Sequence, residues 1–245
     1  MYQIERAIIM AAGTGTRMRP LTNQIPKPLI PVNGTAMLET VIAGLCENNI
    51  TEIYIVVGYR KEQIYSFCER CEEKYPINVQ IIENPFYDQA NNISSLYVAR
   101  EHLENAIILE GDQIIRDSSI LSREFEHSEY NAYWVSCGEV DWNAVVDTND
   151  RIVDCIYHSH AESGWEQYGV SRWTAEDGKR LRRCLEKEFI EKQHRDIYWD
   201  DVALFTYKSE FELYIRRTNP DARIEIDSVE ELCEADPSYK SILCD

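Results

Sequence analysis

Short apolar segments alternate with helical patterns through the first half of the chain, and this alternation restricts the possible folds more than any other feature of the sequence. The apolar segments are residues 6–10, 53–57, 79–82 and 106–109. Each has only four or five residues, which favours a buried strand over a buried helix. Between them, and again over residues 91–103, apolar residues recur at helical spacing, for example at Leu38, Val41 and Ile42. The sequence therefore predicts an α/β fold whose mainly parallel central sheet carries helices on both faces.

The second half of the chain is less regular but contains further strand and helix patterns. Strands are predicted over residues 132–137 and 223–226, and a hairpin over residues 145–157 with its turn at 148–150. Helices are predicted over residues 174–194, 200–216 and 229–233, with Thr174 and Ser228 as N-caps of the first and the last. Because no repeat, low-complexity segment or flexible linker interrupts the chain, we expect one domain over residues 1–245 with an elaborated C-terminal half.

The chain is strongly acidic, since 43 Asp and Glu residues against 25 Lys and Arg residues give a net charge of −18. Such a surface repels nucleic-acid backbones and anionic membranes, so we expect neither as a partner. A small phosphorylated substrate is still compatible with this charge, because a few basic residues can be concentrated at one site. The N-terminal residues do not resemble a secretory signal, and no segment is long and apolar enough to span a bilayer. We therefore expect a cytoplasmic protein, and the sequence leaves its oligomeric state open.

Cys68 and Cys71 have the spacing of a zinc or redox pair, but they also lie within a helical pattern. Ile64, Phe67 and Tyr75 belong to the same apolar stripe. A structural zinc site needs a second pair of ligands, and the sequence has no other C-x-x-C and no H-x-x-x-H. We therefore predict that both thiols are reduced and pack in the core, with no metal bound.

A loop of small residues, Ala11-Ala12-Gly13-Thr14-Gly15, follows the first predicted strand. Small side chains allow backbone N–H groups to approach a phosphate closely, so the loop is a candidate anion site. It is not the dinucleotide fingerprint G-x-G-x-x-G, because the third glycine is missing, and it lacks the G-K-[ST] ending of a P-loop. Taken alone, a single G-x-G is also compatible with an ordinary turn.

Lys27 lies ten residues after Arg17, between Pro26 and Pro28. The two prolines restrict the backbone of this segment, so the lysine projects from a rigid frame. In an acidic protein, a lysine fixed just beyond a candidate anion site favours a phosphate contact over a freely solvated charge.

The segment from Ala11 to Leu29, A-A-G-T-G-T-R-x-x-P-L-T-x-x-x-P-K-P-L, resembles the signature of the sugar-phosphate nucleotidyltransferases. Enzymes of this family have a Rossmann-like fold and join a nucleoside triphosphate to a phosphomonoester with release of pyrophosphate. The resemblance implies that the loop Ala11–Gly15 binds the nucleotide. It also implies catalytic roles for Arg17, at the β/γ end of the triphosphate, and for Lys27, at the α-phosphate.

Asp112 and Asp227 each follow a predicted strand, in Glu110-Gly111-Asp112 and Glu225-Ile226-Asp227. An open α/β sheet binds ligands at the carboxyl ends of its strands, where two carboxylates from distant strands can hold Mg²⁺. Either aspartate alone is more typical of a cap or turn than of a metal site. With the nucleotidyltransferase signature present, we predict that the pair binds Mg²⁺ against the α-phosphate.

Further segments resemble the bacterial cytidylyltransferases that activate phosphocholine. They are Asn84-Pro85-Phe86-Tyr87-Asp88, Asn91-Asn92-Ile93-Ser94-Ser95-Leu96-Tyr97, Tyr198-Trp199-Asp200-Asp201 and Ile224-Glu225-Ile226-Asp227-Ser228-Val229. In such enzymes the Asn/Ser segment meets the cytosine, which makes Asn92 and Ser95 the candidate base-reading residues. The resemblance implies transfer of CMP from CTP to phosphocholine, a small phosphorylated amino alcohol, giving CDP-choline and pyrophosphate. Direct in-line attack on the α-phosphorus suffices for this reaction.

The choice of acceptor also has a physical basis. A trimethylammonium group has no N–H to donate and is best held by aromatic faces together with a carboxylate. Trp142, Tyr198 and Glu225 match the positions at which the phosphocholine enzymes build such a site, and Asp196 or Asp200 could add negative charge. Two alternatives stay open. One is a cytidylyltransferase for 2-aminoethylphosphonate or phosphoethanolamine, in which Glu225 and Asp200 would accept hydrogen bonds from the ammonium group. The other is a non-catalytic subunit that senses a nucleotide.

Overall fold

Strands and helices alternate through the first half of the structure, a computed structural model that describes residues 1–159 and 161–244. The strands, in chain order, are β1 Tyr2–Gln3, β2 Arg6–Ala11, β3 Pro31–Val32, β4 Thr35–Ala36, β5 Glu52–Val57, β6 Asn78–Glu83, β7 Ala106–Glu110, β8 Gln113–Ile115, β9 Glu124–Phe125, β10 Glu129–Val135, β11 Val140–Val146, β12 Ile152–Ser159, β13 Gly164–Trp173, β14 Tyr214–Arg217 and β15 Arg223–Glu225. The α-helices are α1 Met37–Glu47, α2 Lys61–Lys74, α3 Ile93–Val98, α4 Ala175–Glu186, α5 Trp199–Asp201 and α6 Val229–Ala235.

The parallel strands β7, β2, β5 and β6 lie side by side in that order at the centre of the main sheet. Their inner residues, such as Ile8, Ile55 and Ile108, are fully buried because both faces of the sheet are covered. The chain passes from β2 to β5 and β6 on one side, and β7 then lies on the other side of β2. A crevice therefore opens at the carboxyl ends of β2 and β7, which is where open α/β sheets bind ligands.

Each face of the central sheet has its own apolar core. Leu38 of α1 and Ile64 of α2 pack in one core, whereas Leu96 of α3 and Leu181 of α4 pack in the other. This arrangement confirms the predicted α/β architecture with helices on both faces. None of the helices in the described part of the chain is long and apolar enough to cross a membrane.

The C-terminal half extends the sheet with antiparallel strands. β13 runs antiparallel to β7 and also pairs with β10 and β11. β11 and β12 form the predicted hairpin, with Trp142 opposite Tyr157, and both strands extend beyond the predicted bounds. The predicted strand at residues 132–137 corresponds to β10, which begins earlier, at Glu129, and ends earlier, at Val135. The last predicted strand corresponds to β15, and Ser228 caps α6 as expected.

Two helices are shorter in the structure than the sequence predicts. Within residues 91–103, the α-helix is confined to α3 and is followed by a 3₁₀ turn at Arg100–His102. Thr174 caps α4 as predicted, because its hydroxyl accepts a hydrogen bond from the N–H of Asp177. The α-helix ends at Glu186, however, and a π-helical turn continues it only as far as Glu191.

The predicted helix over residues 200–216 is wrong. α5 covers only Trp199–Asp201, a π-helical turn follows at Val202–Thr206, and the end of the segment forms strand β14. β14 runs parallel to β10, with Ile215 opposite Tyr130. Pairing with a neighbouring strand therefore overrides the helical spacing of apolar residues, which is a local signal only.

The Cys68/Cys71 pair lies in the core, as its helical pattern predicts. Both side chains are on α2, are 3% exposed and pack in the same core as Ile64 and Phe67. Burial raises the pKa of the Cys68 thiol to about 12 and that of Cys71 to about 11. Both thiols therefore stay neutral at physiological pH, which is unfavourable for metal ligation or redox chemistry.

Replacing Cys68 and Cys71 together by serine should lower the free energy of unfolding by about 1–3 kcal/mol per site, because each new hydroxyl is buried in an apolar core that provides no dedicated hydrogen-bond partner. Denaturant unfolding followed by circular dichroism measures this loss. Cys137→Ser, at an exposed position, is the matched control and should change the stability by less than about 0.5 kcal/mol. Equal stability of the double variant and the wild type would contradict the core assignment.

Candidate active site

A cleft with a volume of about 330 Å³ opens at the carboxyl ends of β2, β6 and β7. The predicted nucleotide-binding, catalytic and metal-binding residues all lie along it. They are Ala11, Ala12, Gly13, Thr14, Gly15, Arg17, Lys27, Asn92, Ser95, Asp112 and Asp227. The fold thus brings residues from both ends of the chain into one site.

The loop after β2 is folded tightly against the segment that carries Lys27. Gly15 has a φ of 61°, in the left-handed region that favours glycine. A Cβ at this position would lie 2.9 Å from Thr22 Cγ2 and 3.0 Å from Lys27 Cβ, which leaves no room for a side chain. The Thr22 hydroxyl donates a hydrogen bond of 2.8 Å to the Gly15 carbonyl oxygen. These contacts fix the loop beside the lysine.

Lys27 connects two carboxylates at the centre of the cleft. Its side chain is 9% exposed, and Nζ donates hydrogen bonds to Asp112 Oδ2 at 2.7 Å and to Asp227 Oδ1 at 2.6 Å. Arg17, which is mostly exposed, forms an ion pair of 2.9 Å with the other carboxylate oxygen of Asp227.

The charges of these groups are stabilised by one another. Burial alone lowers the pKa of Lys27, but the carboxylates of Asp112 and Asp227 outweigh it and raise that pKa above its ordinary value. Burial likewise works to raise the pKa of Asp227, but Lys27 and Arg17 hold it below its ordinary value. Lys27 and Asp227 are therefore both ionised at neutral pH.

Asp112 and Asp227 have the chemistry expected of magnesium ligands. Both contact the same ammonium nitrogen, so the two carboxylates lie close together, and Asp112 Oδ1 is buried with no hydrogen-bond partner among the described residues. Mg²⁺ prefers oxygen ligands and commonly takes one or two carboxylates together with water and phosphate oxygens. No group of three or more His, Cys, Asp or Glu side chains suited to a metal occurs in residues 1–159 and 161–244. The two carboxylates fit Mg²⁺, and its binding stays a prediction.

A network of polar side chains forms the wall of the cleft that follows β6. The buried amide nitrogen of Asn84 donates hydrogen bonds to the hydroxyl oxygens of Ser94 and Ser95, at 2.9 and 3.1 Å. Asn92 Oδ1 accepts a hydrogen bond of 2.9 Å from the backbone N–H of Trp199. The two candidate base-reading residues are therefore fixed in place, Ser95 by Asn84 and Asn92 by Trp199.

Trp142 and Tyr198 do not line this cleft but belong to a neighbouring cluster of aromatic rings. Their ring centroids are 5.8 Å apart, and the ring of Tyr157 lies 4.6 Å from Trp142 and 6.2 Å from Tyr198. Tyr157 and Tyr198 are each 38% exposed. Trp199, which follows Tyr198 in the chain, connects this cluster to the cleft through its hydrogen bond to Asn92.

Asp200 and Glu225, the two acidic residues predicted to bind substrate, differ in their surroundings. Asp200 is 8% exposed, and burial raises its pKa to about 8. The side chain of Glu225 is partly exposed and pairs with Arg223 at 2.8 Å. Neither residue lines the cleft, but the charges of both raise the pKa of Glu110, and Glu110 does line the cleft. Burial and the charge of Asp112 raise the pKa of Glu110, and the charges of Asp200 and Glu225 add to this effect.

Four residues have no role predicted from the sequence: Asn84, Tyr87 and Glu110 line the cleft, and Tyr157 belongs to the aromatic cluster. Asn84 and Glu110 lie at the carboxyl ends of predicted strands. The rule that open α/β sheets bind ligands at these ends, which identified Asp112, therefore applies to them as well. Tyr157 lies opposite Trp142 only because the register shifts between Val145 and Val146, whereas counting outward from the predicted hairpin turn would have given Ile156. No sequence signal of this kind exists for Tyr87.

Known proteins similar to this chain match it over nearly its whole length. A 2-aminoethylphosphonate cytidylyltransferase of Lancefieldella rimae is 40% identical to this chain over 97% of it and 94% of the relative. A choline-phosphate cytidylyltransferase of Streptococcus pneumoniae is 32% identical over 92% of this chain and 94% of the relative. The solved structure of the CTP:phosphocholine cytidylyltransferase from Streptococcus pneumoniae has a TM-score of 0.85 and 30% identity, and the match covers 97% of this chain and 100% of that chain.

The family model described as nucleotidyl transferase matches residues 6–147, which include the loop after β2, Lys27 and Asp112. This match confirms the family that the sequence signature indicates. The chain belongs to the nucleotidyl transferase family.

Proposed function

We propose that the protein is a cytidylyltransferase that transfers CMP from CTP to the phosphate or phosphonate group of a small acceptor with a cationic amine. The observation that carries the proposal is the cleft in which Lys27 bridges Asp112 and Asp227 beside the loop Ala11–Gly15. Two relatives that match more than nine-tenths of the chain are named as cytidylyltransferases for acceptors of this class, which supports both the nucleotide and the acceptor.

The reaction depends on positioning and charge rather than on a general base. An acceptor phosphate or phosphonate is already anionic, so its oxygen attacks the α-phosphorus of CTP in line with the departing pyrophosphate. Lys27 would stabilise negative charge on the α-phosphate, and Arg17 would do so on the pyrophosphate. Asp112 and Asp227 would hold Mg²⁺, whose charge neutralises phosphate oxygens when it is bound.

Cytosine binding is assigned to the wall that follows β6. The exposed edge of cytosine offers an amino donor as well as acceptors, so it needs both kinds of partner. Asn92 and Ser95 carry an amide and a hydroxyl, which can donate and accept. Because both side chains are fixed by neighbours, they would meet the base without losing further conformational freedom.

Phosphocholine is one candidate acceptor, and the aromatic cluster favours it. A trimethylammonium group gains most from aromatic faces, and Trp142, Tyr157 and Tyr198 have partly exposed rings. Tyr198 directly precedes Trp199, whose N–H is hydrogen-bonded to Asn92 in the cleft. Glu225 would add negative charge, whereas burial raises the pKa of Asp200 to about 8, so Asp200 is mostly protonated at neutral pH.

2-Aminoethylphosphonate is the second candidate acceptor. It is favoured by the relative that is 40% identical over 97% of this chain. The Glu110 side chain also lines the cleft and offers an oxygen that accepts hydrogen bonds, which a primary ammonium needs.

Pyrophosphate release measured with each nucleoside triphosphate and a panel of acceptors tests the proposed function. We expect turnover with CTP and Mg²⁺, with phosphocholine, 2-aminoethylphosphonate or phosphoethanolamine as acceptor. Removing the metal with EDTA should abolish turnover, and added Mg²⁺ should restore it. Faster turnover with UTP or dTTP and a hexose 1-phosphate would contradict the proposal.

Lys27→Ala should lower kcat/KM by roughly 10²-fold or more, since it removes a charge that stabilises the transition state. Steady-state kinetics at saturating Mg²⁺, with the fold verified by circular dichroism, measure the effect. Lys179→Ala is the matched control, because Lys179 is 64% exposed, and it should retain near-normal kinetics. Near-normal activity of folded Lys27→Ala would exclude the lysine from the mechanism.

Trp142→Ala should raise the KM for phosphocholine several-fold, because one cation–π contact contributes about 0.5–2 kcal/mol. The KM for CTP should stay nearly unchanged, since Trp142 does not line the cleft. Trp134→Ala removes a ring that is 50% exposed and outside the cluster, and it serves as the control. If phosphocholine kinetics are the same in Trp142→Ala and in the wild type, the aromatic cluster does not bind the acceptor.

A further inference from the structure

We propose that Glu188 is a positioning residue for cytosine recognition, because it anchors the chain segment that holds Asn91 and Asn92 in the wall of the cleft. Residues 192–199 form this segment, the strap. The inference rests on the proposed cytidylyltransferase function and deepens it, since it names a residue outside the cleft that determines which nucleotide is bound. Neither the sequence motifs nor the comparisons assign a role to Glu188.

The strap is hydrogen-bonded to the wall of the cleft at three places. The backbone N–H of Asn91 donates to the carbonyl oxygen of Arg195 at 2.7 Å. The side-chain amide of Asn91 donates to the carbonyl oxygen of Asp196 at 3.2 Å. Asn92 Oδ1 accepts from the N–H of Trp199 at 2.9 Å. Both asparagines line the cleft, so the position of the strap decides where their side chains lie.

The strap has no regular secondary structure before its last residue. The preceding π-helical turn ends at Glu191 and α5 begins at Trp199, and residues 192–198, all of which the structure describes, contain neither helix nor strand. Most of these residues are exposed to solvent, among them Lys192 and His194. Exposed irregular segments are mobile unless side chains hold them in place. The strap therefore needs an anchor in addition to its hydrogen bonds with the wall.

Glu188 supplies this anchor from the π-helical turn that follows α4. Its side chain is fully buried. Oε1 accepts hydrogen bonds from Lys192 Nζ at 2.6 Å and from the Tyr207 hydroxyl at 2.7 Å, and Oε2 lies 2.7 Å from His194 Nδ1. The backbone N–H of His194 also donates to the carbonyl oxygen of Glu188 at 2.9 Å. A buried carboxylate needs such partners, and Lys192 and His194 belong to the strap, so the carboxylate and the strap hold each other in place.

Arg195 connects the strap to another part of the same wall. Its guanidinium carbon lies 5.6 Å from the centroid of the Phe86 ring and 5.3 Å from that of the Phe189 ring, where a cation is attracted to an aromatic face. The backbone N–H of Phe86 donates to Asn84 Oδ1 at 2.9 Å, and the amide nitrogen of Asn84 holds the Ser95 hydroxyl. Both candidate base-reading residues are therefore connected to the strap.

The anchor acts on base recognition and not on the groups at the α-phosphate. The hydrogen bonds and ion pairs described for Lys27, Asp112 and Asp227 do not involve the strap. Cytosine has an amino donor where uracil has a carbonyl acceptor, so the two bases are distinguished only by side chains held in a fixed orientation. Loosening the strap should therefore weaken the binding of CTP and the discrimination against UTP, while the rate of transfer stays unchanged.

The test compares Glu188→Gln with the wild type. The amide nitrogen of glutamine cannot accept a hydrogen bond from the strap, so the anchor is weakened while the size of the side chain is kept. We expect the KM and the calorimetric dissociation constant for CTP to rise at least fivefold. The dissociation constant for UTP, kcat at saturating CTP and the KM for the acceptor should change less than twofold. Glu188→Asp, which keeps the charge, should recover part of the loss.

Glu186→Gln is the matched control for this comparison. Glu186 lies two positions before Glu188, but its side chain is 39% exposed and pairs with Arg100 and Arg182 instead of the strap. The variant loses the same charge from the same part of the chain. It should keep the wild-type values for both nucleotides.

Limited proteolysis with trypsin gives a readout that does not depend on activity. The strap contains trypsin sites after Lys192 and Arg195. If Glu188 anchors the strap, mass spectrometry should show cleavage at these sites at least tenfold faster in Glu188→Gln than in the wild type and in Glu186→Gln. Saturating CTP should slow this cleavage, because the base holds the wall to which the strap is bonded.

The possible outcomes separate this inference from the proposed function. If Glu188→Gln is folded by circular dichroism and keeps the wild-type affinity for CTP, loses affinity for CTP and UTP equally, or shows unchanged cleavage of the strap, Glu188 does not position the base-reading residues. Wild-type turnover with CTP and an amine-bearing acceptor upholds the proposed function in each of these cases. If the wild type neither binds CTP nor transfers CMP, both proposals are overturned.

Discussion

The ammonium group of Lys27 between Asp112 and Asp227 is the interaction on which the geometry of the cleft depends. The two aspartates lie 85 and 200 positions away from the lysine in the chain. Without a cation between them, two carboxylates held so close would repel each other. Burying these charges costs free energy, which is offset only if the ion pairs are well formed. The rigid frame of Lys27, flanked by prolines and packed against Gly15, keeps the ammonium where both carboxylates can reach it.

Much of this arrangement could be predicted because it follows from local patterns and one topological rule. Apolar runs of strand length identify the parallel strands, and their carboxyl ends must meet at one edge of the sheet. Such strands precede Ala11, Asp112 and the Asn84 segment, so these residues can be predicted to converge without any knowledge of side-chain packing. Thr174 and Ser228 were predictable for a similar reason, since a cap bonds within its own first turn.

The parts that the sequence did not reveal depend on contacts between distant segments. Residues 214–217 become a strand because β10 offers a free edge, and nothing within the segment itself encodes that neighbour. The side chain of Asn92 is held by the N–H of Trp199, a partner 107 positions away. The surroundings of Glu110 likewise depend on Gly169, which enters through the antiparallel pairing of β13 with β7. Periodicity and motif spacing carry no information on such pairs.

The two structural halves contribute different parts of the proposed reaction. The loop Ala11–Gly15, Lys27 and Asp112 lie on or beside the parallel strands, and they are the groups that would act on the triphosphate. Trp142 and Tyr157 come from the antiparallel extension, which would contribute to the acceptor side. Glu110 stands at the boundary, because it ends a parallel strand while its side chain lies against β13. If the proposed roles hold, substitutions in the extension would change the acceptor without moving the groups that would act on the triphosphate. This gives a physical reason why relatives as similar as those compared above carry the names of different acceptors.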